Sequence, residues 1–188
     1  MKLGFLTAPF PETPLTDVAD WAAEAEFEVL EIACWPMSGG VKRKYAGTAH
    51  IDVANLTDAQ AGEIKAQIAE KGLEISGLGF YPNPLHPDLE VRAAAIDHLK
   101  AVIVATGKMG LPVTNTFCGG DASKNVDENW EEALKVWPDI VRFAQDNGVK
   151  LTFENCPMIF SYDEWPGGHN IAYSPYIWRR ILEAWGGT

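Results

Sequence analysis

Apolar residues come in short runs separated by longer stretches with helical spacing, and this alternation repeats five times. The first apolar run, 2–7, ends in the turn-rich Ala8-Pro9-Phe10-Pro11. Residues 15–26 then place Val18, Trp21, Ala22 and Ala25 on one face, which predicts a helix with Thr16 as its N-cap. The following units read as strand 27–32 and helix 57–71, strand 73–80 and helix 88–109, strand 113–117 and helix 129–147, and strand 149–154 and helix 175–185. Thr57 and Gln60 fit a capping box, and Gly72, Gly110 and Gly148 stand where helices stop. Ser174 and Pro175 fit the N-cap and first turn of the fifth helix, and Pro138 is expected to kink the fourth.

Alternating strands and helices imply right-handed crossovers and a parallel sheet. Two α/β architectures fit: a parallel (β/α) barrel of the TIM type holding five of its eight units, or an open doubly wound sheet. No G-x-G-x-x-G or G-x-x-x-x-G-K phosphate loop is present. The long connections, 33–55, 81–87, 118–128 and 155–173, all follow strands, whereas those after helices are short. Both architectures build sites at that strand edge.

The candidate chemistry lies there too. Glu154 closes the fifth strand, and alternation puts it on one face with Thr152, opposite Leu151 and Phe153. A carboxylate so placed is costly unless it meets a metal, a cation or substrate. Trp35 and Trp165 sit in strand-to-helix loops, where a flat ring could stack on a sugar ring or wall off solvent. His86 sits in the proline-rich loop 81–87, and Asn115 lies in the fourth strand; both are candidate substrate contacts. His50 and His169 are loop histidines, and His98 reads as a helix packing residue. Cys34, Cys118 and Cys156 each fall near a strand end; a three-cysteine zinc site is conceivable, but without close-spaced pairs small buried residues are the better account.

Composition narrows the setting. The 188 residues carry 15 Lys+Arg against 26 Asp+Glu, a net charge of −11. That argues against a nucleic-acid surface; Lys42, Arg43 and Lys44 form the one dense basic patch. Too few cysteines for a disulfide framework, and no apolar run of membrane-spanning length, suggest a cytoplasmic protein. One domain, 1–188, is expected, yet a closed eight-stranded barrel takes about 250 residues. The expectation is therefore a fragment cut after the fifth unit, with free edges that favour homo-oligomers.

The segments Glu154-Asn155-Cys156-Pro157-Met158 and Trp165-Pro166-Gly167-Gly168-His169-Asn170-Ile171-Ala172, with Ser174, Pro175 and Trp178, resemble the sugar phosphate isomerase/epimerase family of the xylose isomerase-like barrel superfamily. Leu30-Glu31-Ile32-Ala33-Cys34-Trp35-Pro36 and Ser76-Gly77-Leu78-Gly79-Phe80-Tyr81-Pro82-Asn83-Pro84-Leu85 add to the resemblance. It implies a closed barrel with one divalent metal (Mn, Mg, Co or Zn), held by a Glu on the fifth strand and by Asp, His and Glu from later strands. Glu154 matches the first ligand and would also be catalytic; the others have no counterpart before Thr188. Where the family usually has Gly before the second strand, this chain has Glu26. The implied activity is isomerisation or epimerisation of a sugar or sugar phosphate through an enediolate, with loop 33–55 closing over the substrate. Two other readings stay open: a metal-dependent hydrolase of the same superfamily, against which the net charge counts, and a non-catalytic small-molecule binding module.

Overall fold

A computed structural model describes residues 1–37, 47–157 and 170–186. The elements follow in chain order: β1 (Gly4–Leu6), α1 (Leu15–Glu24), β2 (Val29–Ala33), α2 (Asp58–Glu70), β3 (Glu74–Gly79), α3 (Leu89–Lys108), β4 (Val113–Thr116), α4 (Val126–Asp146), β5 (Lys150–Phe153) and α5 (Pro175–Trp185). The five strands are parallel and lie in chain order, β1-β2-β3-β4-β5. A doubly wound sheet reverses its order at a switch point. This sheet never reverses, so the chain is an arc of a (β/α) barrel, a partial barrel of five units, and the open-sheet alternative falls.

Register sorts the strand side chains into two faces. Ile32, Leu78, Thr114 and Leu151 stand in one row across four strands. This row faces the helices. Ile32 and Leu78 cluster with Leu99, Val102 and Ile103 of α3, and Thr114 Oγ1 lies 2.7 Å from Thr106 Oγ1 on the same helix. One position on, Ala33, Gly79, Asn115 and Thr152 form the opposite row, facing what would be the barrel interior.

Local chemistry explains most helix ends. Thr57 and Gln60 make the full capping box of α2, and Ser174 accepts the Ile177 amide at the start of α5. Two expectations are corrected. Thr16 does not cap α1: the helix enters through Pro14, and Thr16 Oγ1 instead donates to Asp17. Pro14 has no side-chain acceptor, and its carbonyl instead takes the Asp17 and Val18 amides, both at 3.0 Å. The fourth helix begins at Val126, three residues before the expected 129. Asn125 caps it by accepting the Asp127 and Glu128 amides while Glu128 reaches back to the Asn125 amide. Asn129 is buried in its first turns and binds the loop backbone at Asp121, Lys124 and Asn125. Pro138 lies inside α4, which continues to Asp146.

After α2, Gly72 takes φ +77, a left-handed conformation that glycine adopts without strain. After α1 the same kind of turn falls to Glu26 at φ 62, the one non-glycine residue with positive φ among those described. A side chain there costs about 1–2 kcal/mol.

Among the described residues β1 pairs only with β2, and β5 only with β4. Beside β5 runs a trough of about 360 Å³ lined by Leu151, Phe153, Trp178, Ile181, Leu182 and Trp185. Leu182, 62% exposed, leaves its rim apolar.

Candidate active site

The inner face of the sheet gathers side chains from four strands and the segments that follow them. Glu31, in the middle of β2, would be an odd residue inside a parallel sheet. Its neighbours Leu30 and Ile32 are fully buried on the helix side. Gly79 makes room for its carboxylate: a Cβ there would collide with Glu31 Oε1 and approach Leu6 Cδ1 to 3.1 Å. The Tyr81 hydroxyl, just past β3, donates to Glu31. The Asn115 side chain also donates to Glu31 and in turn accepts from the Thr152 hydroxyl. Tyr81, Glu31, Asn115 and Thr152 thus form one hydrogen-bonded line across the sheet. It also orients the Asn115 amide, nitrogen toward Glu31 and oxygen toward Thr152.

Glu154 stands one layer further toward the strand ends, on the same face as Thr152. Its amide extends the ladder to Thr116 O at 2.9 Å. Buried Asn170 holds the chain here, donating to the carbonyls of Glu154 and Cys156 at 3.2 and 3.0 Å. Aromatic rings flank the carboxylates. Tyr81 packs against Phe117 with centroids 4.9 Å apart and against Trp35 at 6.0 Å; Trp35 also meets Phe80 edge-on at 5.8 Å.

Electrostatics set this face apart. Burial raises the Glu31 pKa, against the opposing pull of the hydrogen bonds from Tyr81 and Asn115. The Glu154 pKa is also raised, first by loss of solvent and then by the negative charge of Glu31. Glu154 is open to water on one side, so only part of its carboxyl is desolvated. Burial is the main cause raising the Tyr81 phenol, followed by the charge of Glu31 and, less, that of Glu154.

The other candidates divide. Asn115 and Glu154 belong to this face, and Trp35 adjoins it through Tyr81. His86 does a local job: Nδ1 accepts the Asp88 amide at 3.1 Å, and its carbonyl accepts from Arg92 Nε at 2.8 Å. Arg92 is itself paired with Glu132 at 2.6 Å. Asn83 links this loop to the next, donating to Gly120 O at 2.7 Å and accepting the Gly120 amide at 2.9 Å.

His50 is committed to the fold. Nε2 faces the carbonyls of Phe10 and Thr13 at 3.2 and 3.1 Å, and Nδ1 lies 2.8 Å from Thr7 Oγ1. Burial lowers its pKa, which favours the neutral ring. His98 Nε2 reaches Cys34 O at 2.9 Å, and its ring packs edge-on against Phe80 at 4.7 Å. The Cys34 thiol is buried and donates to Ile32 O at 3.5 Å. Burial pushes its pKa up, and pushes that of Cys118 up to about 12. Neither is a ready thiolate. Trp165, His169 and the basic triplet Lys42, Arg43 and Lys44 lie outside the described residues.

The donor set at this face is all oxygen, the kind a hard divalent cation takes. It is incomplete: among the described residues no group of three or more His, Cys, Asp and Glu is placed to hold a metal ion, and this covers the three cysteines as well.

Glu31 is the functional candidate that sequence reasoning missed. The available signal was a single charge inside an otherwise apolar parallel strand, Val29-Leu30-Glu31-Ile32-Ala33. Thr152 was placed on the Glu154 face, but nothing indicated its link to Asn115.

Fold and site together define a (β/α) barrel arc whose inner face carries two carboxylates, Glu31 within β2 and Glu154 just past β5. The sequence model described as "Xylose isomerase-like TIM barrel" matches residues 19–184, and the chain belongs to that family. Among solved structures it is similar to a D-psicose 3-epimerase from Clostridium cellulolyticum crystallised with D-tagatose, at 20% identity and TM-score 0.62, covering 86% of this chain and 55% of that one. It is similar to an L-ribulose 3-epimerase at 16% identity and TM-score 0.63, covering 99% and 57%. A xylose isomerase domain protein from Planctomyces limnophilus follows at 14% identity and TM-score 0.56, covering 87% and 56%. The chain thus spans little more than half the length of these structures, and at such identities the likeness concerns the fold. No curated protein matches the sequence. No helix among the described residues is long and apolar enough to cross a membrane.

Proposed function

We propose that this chain carries part of the active centre of a sugar isomerase or epimerase, with Glu154 as the base that moves a carbon-bound proton. The observation that carries this reading is two carboxylates on one inner face, Glu31 buried and Glu154 partly open to water, beside Tyr81, Phe117 and Trp35. A raised carboxyl pKa brings a base nearer neutrality, where it can both take and return a proton. Flat rings beside polar groups suit a sugar, whose C–H faces stack while its hydroxyls hydrogen-bond.

A divalent cation, with Glu154 as one of its oxygen donors, would polarise the substrate carbonyl and acidify the adjacent C–H. The remaining ligands would come from outside the described residues. Glu154, at the open end of the face, takes the proton from the carbon next to the carbonyl and leaves an enediolate. Asn115 and Thr152, held in one orientation, hydrogen-bond substrate hydroxyls from below, and Trp35 shields one side from water.

The test is proton exchange. Ketoses such as D-tagatose, incubated with the protein and manganese in D₂O, should lose the ¹H signal next to the carbonyl. Glu154→Gln should slow this by about 10³-fold or more, within the usual range for a lost general base. Exchange at the unsubstituted rate in Glu154→Gln would remove Glu154 from this role.

A further inference from the structure

Glu154 accounts for the proton on carbon. Isomerisation needs a second transfer that epimerisation does not. In an aldose–ketose interconversion the hydroxyl oxygen becomes the carbonyl and the carbonyl oxygen becomes the hydroxyl. One proton must therefore travel between the two oxygens. In an epimerisation the proton returns to the same carbon, and each oxygen ends as it began.

Among the described residues the inner face holds one group built for the oxygen-side transfer. Three neutral polar side chains stand in the hydrogen-bonded line. The Asn115 amide donates to Glu31 and accepts from Thr152, but it is not an acid–base group at ordinary pH. The Thr152 hydroxyl donates to an amide oxygen, with no base behind it. The Tyr81 hydroxyl donates to a carboxylate, Glu31, so it can take a proton on its oxygen while releasing its own backward. Its ring is fixed between Trp35 and Phe117, which keeps the oxygen on the inner face. Gly79 reserves the space that lets Glu31 stand behind it.

We propose that Tyr81, backed by Glu31, carries the proton between the two substrate oxygens, and that the centre is an aldose–ketose isomerase and not an epimerase. This inference rests on the sugar reading above. In the aldose-to-ketose direction Glu154 removes the proton from C2, the C2–C1 double bond forms, and the O1 carbonyl oxygen takes up the electron pair as an enediolate. The O2 hydroxyl gives its proton to Tyr81 Oη as the Tyr81 proton passes to Glu31. The reverse relay delivers a proton to O1, and Glu154 returns its proton to C1. C2 is oxidised as C1 is reduced, so no outside oxidant or reductant enters. Tyr81 touches the substrate; Glu31 acts through it.

The experiment measures two rates in one D₂O reaction followed by NMR: loss of the C–H signal and appearance of the isomer. Tyr81→Phe keeps the ring packing and removes the relay. Its isomer formation is expected to fall by about 10²–10⁴-fold relative to its own C–H exchange. Glu31→Gln, which can accept a hydrogen bond but not a proton, should show the same split. A purely structural role would lower both rates together, so parallel losses in both variants overturn the inference. So does undiminished isomer formation in Tyr81→Phe, or an epimer as the main product of the unsubstituted protein. Absence of any exchange in the unsubstituted protein overturns the sugar reading itself, and this inference with it.

Discussion

The two faces of one sheet follow opposite rules. On the helix side, Ile32, Leu78, Leu99, Val102, Ile103 and Trp137 are almost wholly buried. Among the described residues, all but one of the buried polar side-chain atoms there have a partner within the fold. Thr114 pairs with Thr106, and Trp137 Nε1 donates to Cys118 O at 3.0 Å; the one described exception is Thr116 Oγ1, which is buried without a partner. On the inner side, one residue along the same strands, two carboxylates sit where burial raises their pKa. The first face is arranged to hold the fold. The second holds charge at a cost to the fold, which is the usual mark of a site.

This contrast can be broken from the helix side first. Trp137→Ala removes a fully buried ring that packs edge-on to Phe153 at 4.6 Å, and should cost about 3–5 kcal/mol in denaturant unfolding. A loss under 1 kcal/mol would mean that this face is less tightly packed than its burial indicates. Gly79→Ala is the inner-face counterpart. Its methyl group meets the Glu31 carboxylate, so a cost of about 1–3 kcal/mol is expected, together with loss of the Tyr81–Glu31 contact. An unchanged melting curve would show that Glu31 can sit elsewhere. Glu26→Gly lies outside both faces and sharpens the comparison as a control. It relieves a left-handed conformation and should stabilise by about 1 kcal/mol without touching exchange chemistry.

The smallest effect is in the pH profile. Glu31 in the fold holds its proton to a higher pH than the value of 4.5 it starts from. Across that window the native state binds more protons than the unfolded chain, so this contribution to stability falls as pH rises from about 4.5 through the raised value. Glu31→Gln should remove that slope and leave the protein more stable at neutral pH. His50 works in the other direction. Its lowered pKa means that stability is lost as pH falls below its ordinary value of 6.5. Chemical denaturation at several pH values separates the two, because only the Glu31 contribution disappears in Glu31→Gln.

Much of this molecule can be read along the chain. The five βα units, the Thr57–Gln60 capping box, the Ser174–Pro175 helix start and the position of Glu154 at the end of a strand all follow from local patterns. These depend on residues within a few positions of one another, and a turn of helix or a cap is decided at that range. The missed start of α4 was also local: Asn125 and Glu128 make the same capping box that Thr57 and Gln60 do.

What lay beyond the sequence was which strands are neighbours and which face looks inward. A period of two says that Glu31 and Ala33 share a side, but both architectures allow that pattern, and strand order is a property of pairings tens of residues apart. Once β2, β3, β4 and β5 lie side by side in chain order, Glu31, Tyr81, Asn115 and Thr152 come together from positions spanning more than half the chain. Glu154 could be suspected from its own strand alone. Its companion carboxylate and the tyrosine behind the proposed oxygen-side transfer exist as a unit only because the strands lie in that order and Gly79 leaves room for the Glu31 carboxylate.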